Sequence, residues 1–286
     1  ILTLVLILGI ESRGAVRWVE FLGFRIQFSE ILKPFLAISL ASYLSNIKIF
    51  NFRSFINIFL LLFPVSLLIF FQPDLGNALI YTIIVILIVF YLGFSLKYFI
   101  IFSFPFILSA PILWKLLHDY QRQRVLTFLD PSVDPLGKSY NVIQSVIAVG
   151  SGMIIGKGIG QGTQSGLRFL PERQTDFIFA TISEQLGIIG VIILLVCFGL
   201  ILYRILYIFL NTNDNFCRIF SAIVFFTFIS QIFINIGMNV GLLPIVGVTL
   251  PFVSYGGSSL LSNFIFLGFL NSITKSLRKD QVLEIS

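Results

Sequence analysis

Apolar residues run along this chain in unbroken blocks, not in alternation, and short polar stretches separate the blocks. Uncharged runs of roughly 15–20 residues match the length a helix needs to cross a bilayer core. The pattern predicts membrane helices at residues 31–45, 55–71, 75–93, 99–117, 177–208, 219–237 and 259–274, with Pro64, Pro105 and Pro111 as bends. Residues 1–10 are apolar but too few to span before Glu11. The chain is therefore expected to open partway through a helix whose earlier neighbours are missing. No basic stretch precedes this run and no small-residue cleavage site follows it, which argues against a signal peptide.

Residues 11–30 read as a polar loop, and 118–176 as the one long polar region, with the moderately apolar 141–155 lying along the membrane or dipping into it. Residues 238–258 hold two Pro and four Gly in apolar company, which predicts a re-entrant or broken segment. Such backbone survives at membrane depth only where protein or water satisfies it. The whole chain, 1–286, is expected to form a single all-α polytopic membrane domain.

Composition agrees. The hydrophobic fraction is 57%, Phe occurs 33 times and only 11% of residues are charged, whereas a soluble domain carries about a quarter charged residues. A β-barrel is excluded because its strands would alternate. Cys197 and Cys217 are too far apart to suggest a disulfide framework, and His118 has no Cys or His nearby to share a zinc ion. The net charge of +6 matters for its placement, and no nucleic-acid partner is expected. Lys48, Arg53, Lys97, Arg218, Lys275, Arg278 and Lys279 outnumber Asp214, Asp280 and Glu284 in alternate connections, which the positive-inside rule assigns to the cytoplasm. Loop 11–30 and the long polar region then face outward, with nearly balanced charge.

Candidate chemistry concentrates in residues 161–190, where Glu172, Arg173, Asp176 and Glu184 lead into a hydrophobic helix. Asp176 and Glu184 fall on one helical face about two turns apart. A carboxylate there is costly to desolvate and suits chemistry. Thr175 and Asp176 suit helix capping equally well. The expected outer helix ends also carry Arg17, Trp18, Gln27, Glu30, Lys33, Gln72, Asp74, Ser254 and Tyr255, and the long loop adds Arg122, Arg124 and Lys138. Cations beside a carboxylate fit an anionic, lipid-linked substrate. Plainer readings stand beside these: Arg17 and Arg25 as snorkelling side chains, Trp18 as a belt aromatic, Glu30 and Lys33 as an i, i+3 ion pair, and Asp74 as a cap. The run GKGIGQG lacks Walker spacing and is rejected as a phosphate loop.

Taken together, these motifs resemble the SEDS family (shape, elongation, division and sporulation), in its RodA branch. GAVRWVEFLGFRIQFSEILK at 14–33 resembles the family's GAxRWxxLGxxxxQPSExxK, with Phe28 where proline is usual. QPDLG at 72–76, HDYQRQRVLTFLDPSVDPLGKSY at 118–140, GTQSGLRFLPERQTDFIFA at 162–180 and PFVSYGGSS at 251–259 are similar to other family signatures. The resemblance implies ten transmembrane helices, about seven and a half of them present. It implies peptidoglycan glycosyltransferase activity on lipid II, at the outer face of the bacterial cytoplasmic membrane, in cell elongation and rod shape. Asp176, of the LPExxTDF motif, carries over as the essential acid and general base. Arg17 and Trp18 carry over as activity-linked positions, and Glu30, Lys33 and Asp74 as cavity residues. Arg168 stands where relatives commonly have glutamate, and Gln174 where histidine is common, so neither a second acid nor an assisting histidine is implied.

The implied reaction has Asp176 take a proton from an acceptor sugar while Arg17, Arg122, Arg124, Lys138 and Arg173 steady the departing pyrophosphate. A divalent cation, Mg or Mn, is a candidate to share that task, though the sequence shows no dedicated cage. A class B penicillin-binding protein and the elongation machinery are the implied partners, and Gly187 and Gly190 could seat a partner's helix or pack within the protein. Two other readings share the substrate: a lipid II flippase, which needs mid-membrane charges and no base, and a scaffold for the penicillin-binding protein, which tolerates loss of Asp176.

Overall fold

The computed structural model describes residues 2, 3, 5, 9–12, 15–21, 24–47, 51–72, 74–116, 122, 126–130, 139–167 and 169–285. Its elements in chain order are β1 Ile10–Ser12, β2 Ala15–Phe21, β3 Phe24–Ile26, α1 Phe28–Ser45, α2 Phe52–Phe71, α3 Leu75–Tyr91, α4 Leu96–Leu116, α5 Tyr140–Ser151, α6 Thr163–Gly166, α7 Ile178–Asn211, α8 Asn215–Asn239 and α9 Gly257–Ile285. Among the described residues, four segments are long and apolar enough to cross a membrane: Phe52–Phe71, Ile178–Asn211, Asn215–Asn239 and Gly257–Leu277. Leu75–Tyr91 and Leu96–Pro105 are shorter apolar helices. The protein is a helical, polytopic membrane protein, as the block pattern predicts.

One expectation fails locally. The stretch expected as a polar loop after residue 10 is a small antiparallel sheet ordered β1-β2-β3, with Ile10 opposite Trp18 and Val19 opposite Ile26. Composition explains it: AVRWVEF carries Val16, Trp18, Val19 and Phe21, β-branched and aromatic residues that favour strand over irregular loop.

The chain divides into two compact units. The first holds residues 1–94, 199–230 and 256–286. In it α2 packs on α3, and α1 packs on α9. Ala37, Leu40, Ala41 and Leu44 are buried along α1, Phe55, Ile58 and Leu62 along α2, and Ile80, Ile84 and Ile88 along α3. These runs are the i, i+3, i+4 spacing of one helical face. Phe228 of α8 meets Phe266 of α9 edge-on with ring centroids 5.9 Å apart, a favoured aromatic geometry.

The second unit holds residues 95–198 and 231–255. Its core gathers Ala148, Leu170, Phe177 and Ala180, with Val149 and Ile245 against them. The 34 residues of α7 would measure about 51 Å if straight, well beyond a bilayer core of about 30 Å. The helix breaks at Gly187 (φ 65°, ψ −163°), backbone that only glycine adopts readily. Before the break Ala180, Ser183 and Glu184 are buried, whereas Ile188, Ile192 and Ile193 beyond it are exposed, as befits a lipid-facing surface. The break releases main-chain groups, and the loop after α5 takes them up. Ile188 N donates to Met153 O (2.9 Å) and Ile189 N to Ile154 O (3.3 Å), while Lys157 N and Gly158 N donate to the carbonyls of Glu184 and Gln185 (2.9 and 3.0 Å).

A side chain at Gly187 would collide with Ile154 O and Gly156 N. Gly187→Val should therefore lower the stability of the detergent-solubilised protein by at least about 1–3 kcal/mol. Gly199→Ala, where a Cβ meets nothing within 4 Å, should leave it unchanged. Equal melting temperatures for the two variants would contradict this reading of the break.

Candidate functional site

In the first unit the N-terminal ends of α1 and α3 share a buried polar cluster. Asp74 caps α3, as its place before the helix predicts, with its side chain accepting from Asn77 N. Its Oδ2 also accepts from Gln27 Nε2 (2.7 Å), Ser29 Oγ (2.7 Å) and Asn77 Nδ2 (2.9 Å). Tyr81 donates its hydroxyl to Ser29 O (2.8 Å), and Ser258 Oγ accepts from Gln27 N (2.9 Å). One helical turn along α1, Lys33 Nζ lies 2.8 Å from Glu30 Oε2, with both side chains nearly sealed from solvent (2% and 6% exposed). A buried pair endures only with good geometry, and removing one member strands the other charge. Gln72 Nε2 donates to Leu2 O. On β2, Arg17 and Trp18 are half-buried, and the Arg17 Nε is buried with no hydrogen-bond partner among the described residues.

In the second unit, the turn at 171–177 carries the motif acids. Glu172 takes a positive φ of 52°, and its Oε2 accepts from Thr175 Oγ1 (2.9 Å). Arg173 Nη1 donates to the Ser165 carbonyl, and Arg173 O accepts from Thr181 Oγ1 (2.9 Å). The broken segment after α8 fastens the other side: Ser254 Oγ donates to Thr175 O (2.7 Å), and Tyr255 N to Gln174 O (2.8 Å). The Tyr255 side chain is 77% exposed. Asp176 is half-buried just ahead of α7, and its Oδ2 lies alongside Gly247, 3.4 Å from where a Cβ would stand.

Asp176 and Glu184 have unlike surroundings. Glu184 is fully buried. Its Oε1 accepts from Gln164 N (2.8 Å) and Thr163 Oγ1 (3.2 Å), its Oε2 from Ser165 N (2.8 Å), and Lys157 Nζ lies 3.5 Å away. That carboxylate ties the 157–166 loop to α7. Arg122 donates to the Trp114 and Lys115 carbonyls at the end of α4, the usual use of a cation at a helix C-terminus. Arg124 and Lys138, like His118 and Arg168, lie outside the described residues. Among the described residues no three His, Cys, Asp or Glu side chains converge to hold a metal ion, so the side chains described build no protein cage for a divalent cation.

Sequence reading missed Asn235 and Asn239, both buried on α8, which donate to the Asp176 carbonyl (3.1 and 3.0 Å). The signal was present: two asparagines at i, i+4 in an otherwise apolar span are costly unless they bond something specific. Ser29 and Asn77 were missed likewise.

Helical spans and an irregular apolar segment at membrane depth together define a polytopic membrane protein. Residues 1–279 match the FtsW/RodA/SpoVE cell cycle protein family, and the chain belongs to that family. Among its relatives, the peptidoglycan glycosyltransferase MrdB of Escherichia coli K12 is 41% identical over 270 residues, 93% of this chain and 72% of MrdB. Stage V sporulation protein E of Bacillus subtilis is 36% identical over 97% of this chain and 77% of its own. In structure, the chain is similar to one from a peptidoglycan synthase complex that coordinates polymerization and crosslinking (TM-score 0.80, 35% identity, 96% of this chain and 78% of that one). It is also similar to the rod shape determining protein RodA of Thermus thermophilus (TM-score 0.66, 28% identity, 94% and 72%).

Glu184→Gln places an amide against main-chain donors and should cost about 1–3 kcal/mol of stability, read as a lower melting temperature together with faster proteolysis within residues 157–166. Unchanged protection of that loop would contradict the tie.

Proposed function

We propose that this chain is a peptidoglycan glycosyltransferase that polymerises lipid II at the outer face of the bacterial cytoplasmic membrane, with Asp176 as general base. The observation that carries the proposal is the setting of Asp176. Its main-chain carbonyl accepts hydrogen bonds from two asparagine side chains, while its half-buried carboxylate lies beside Gly247. The names of its relatives supply the chemistry.

Asp176 takes the proton from the 4-hydroxyl of the GlcNAc of an acceptor lipid II. The freed oxygen pair forms a bond to the anomeric carbon of the donor's MurNAc. The bond from that carbon to the pyrophosphate oxygen breaks, its electrons leave with undecaprenyl pyrophosphate, and the centre inverts from α to β. A positioned carboxylate speeds such a step by roughly 10²–10⁴-fold. Cations offset charge on the leaving group. Arg173 is one, since a guanidinium carries five N–H donors and among the described residues Nη1 serves the Ser165 and Gly166 carbonyls. Arg17, Arg124 and Lys138 are further candidates. Thr175, Glu172 and Ser254 shape the turn that presents the base, whereas Glu184 acts on the loop. Gln27, Glu30, Lys33, Gln72 and Asp74 form the polar framework of the first unit, where Trp18 is a candidate sugar contact, and Tyr255 is a candidate contact in the second. A class B penicillin-binding protein of the elongation machinery is the proposed partner, in keeping with the synthase complex among its structural relatives.

The test is polymerisation of labelled lipid II by the purified protein, with and without that partner, read as glycan chains on a gel. Asp176→Asn should fold normally and polymerise roughly 10²–10⁴-fold more slowly. An undiminished rate would contradict the base assignment, and lipid II that crosses vesicles without chain growth would contradict the enzyme.

A further inference from the structure

Asn239 does something unusual to the start of α7. In a continuous helix the Asp176 carbonyl would accept from Ala180 N, closing the first rung of the ladder. Here the Asn239 side chain engages both of those groups: its Nδ2 donates to Asp176 O (3.0 Å), and its Oδ1 accepts from Ala180 N (3.1 Å). The next rung, Thr181 N to Phe177 O at 3.0 Å, is a normal one. An asparagine amide therefore stands where the 176–180 rung would be.

Asn235, one turn earlier on α8, adds the second half. Its Nδ2 donates both to Asp176 O (3.1 Å) and to Val248 O (2.7 Å). Val248 follows Gly247, whose φ is +73° and whose α-carbon faces the Asp176 carboxylate. One amide group thus joins the main chain of Asp176 to the backbone beside its own carboxylate. Asn239 is itself pinned, with its main-chain carbonyl accepting from Ser145 Oγ (2.8 Å) and its Nδ2 donating also to Asn235 O (2.7 Å). Both asparagines are fully buried, so a lost donor finds no water to replace it.

We propose that Asn235 and Asn239 are positioning residues: by displacing the first rung of α7 they hold Asp176 off the helix and set its carboxylate against Gly247. Without them the helix winds back through Asp176 and rotates the carboxylate away. This inference rests on Asp176 as the base, and the experiment separates the two ideas.

Full-length protein with its partner is assayed for lipid II polymerisation as Asn235→Asp and Asn239→Asp, near-isosteric changes that delete the N–H donors and keep Oδ1, and as the two Ala counterparts. Displacing a catalytic group by about 1 Å lowers turnover by about 100-fold. The expected result is kcat per folded protein reduced about 10- to 100-fold with KM for lipid II within about threefold, in protein whose melting temperature is lowered by the stranded carbonyls but stays above the assay temperature. Wild-type kcat in the Asn variants, alongside an inactive Asp176→Asn, would overturn the positioning role alone. An active Asp176→Asn would overturn the base assignment itself. Kcat and KM moving together with the loss of folded protein, in both the Asp and Ala forms, would make the asparagines merely structural and also overturn the proposal.

Discussion

Irregular backbone in an apolar setting must find its hydrogen bonds inside the protein, because neither lipid nor packed hydrocarbon offers any. The second unit is built around that demand. At Gly187 the main chain of α7 opens, and the backbone of residues 153–158 supplies matching donors and acceptors. After α8 the chain stays non-helical from about residue 240 to 256, and Asn235, Ser254 and the turn before α7 satisfy it. Each break is closed by another break, so the irregular pieces hold one another in place.

The same demand sorts the charges. Glu184 is completed by three donors from one loop, and Asp74 by side chains from two helices. Lys33 and Glu30 complete each other. Asp176 differs in that its main-chain carbonyl is held by two buried asparagines, with its half-buried carboxylate beside Gly247.

Much of this was readable from the residues. Block hydrophobicity located the spans, and the Gly and Pro content of 238–258 marked the broken segment, since both residues interrupt helices for reasons local to their own backbone. The i, i+3 spacing of Glu30 and Lys33 and the place of Asp74 offered the ion pair and the cap as alternatives to cavity roles, and the structure has both contacts. The sheet at 10–26 was overlooked because three short strands carry little periodicity against the apolar signal around them. The asparagines of α8 were overlooked for another reason. Their partners, Asp176 and Ala180, lie some sixty residues away, and no local pattern encodes a bond between distant segments. The separate fates of Asp176 and Glu184 were hidden likewise, because helical spacing assumes a helix that in fact begins only at Ile178.

The most direct measurement is an experimental structure of the protein with an acceptor lipid II bound, in which the distance from the Asp176 carboxylate to the acceptor's 4-hydroxyl is read. The expected result is hydrogen-bond reach, about 2.6–3.2 Å directly or through one water, with the Asp176 carbonyl still held by Asn235 and Asn239. A bound sugar whose 4-hydroxyl is served by another group, with the Asp176 carboxylate turned into packed protein, would contradict it.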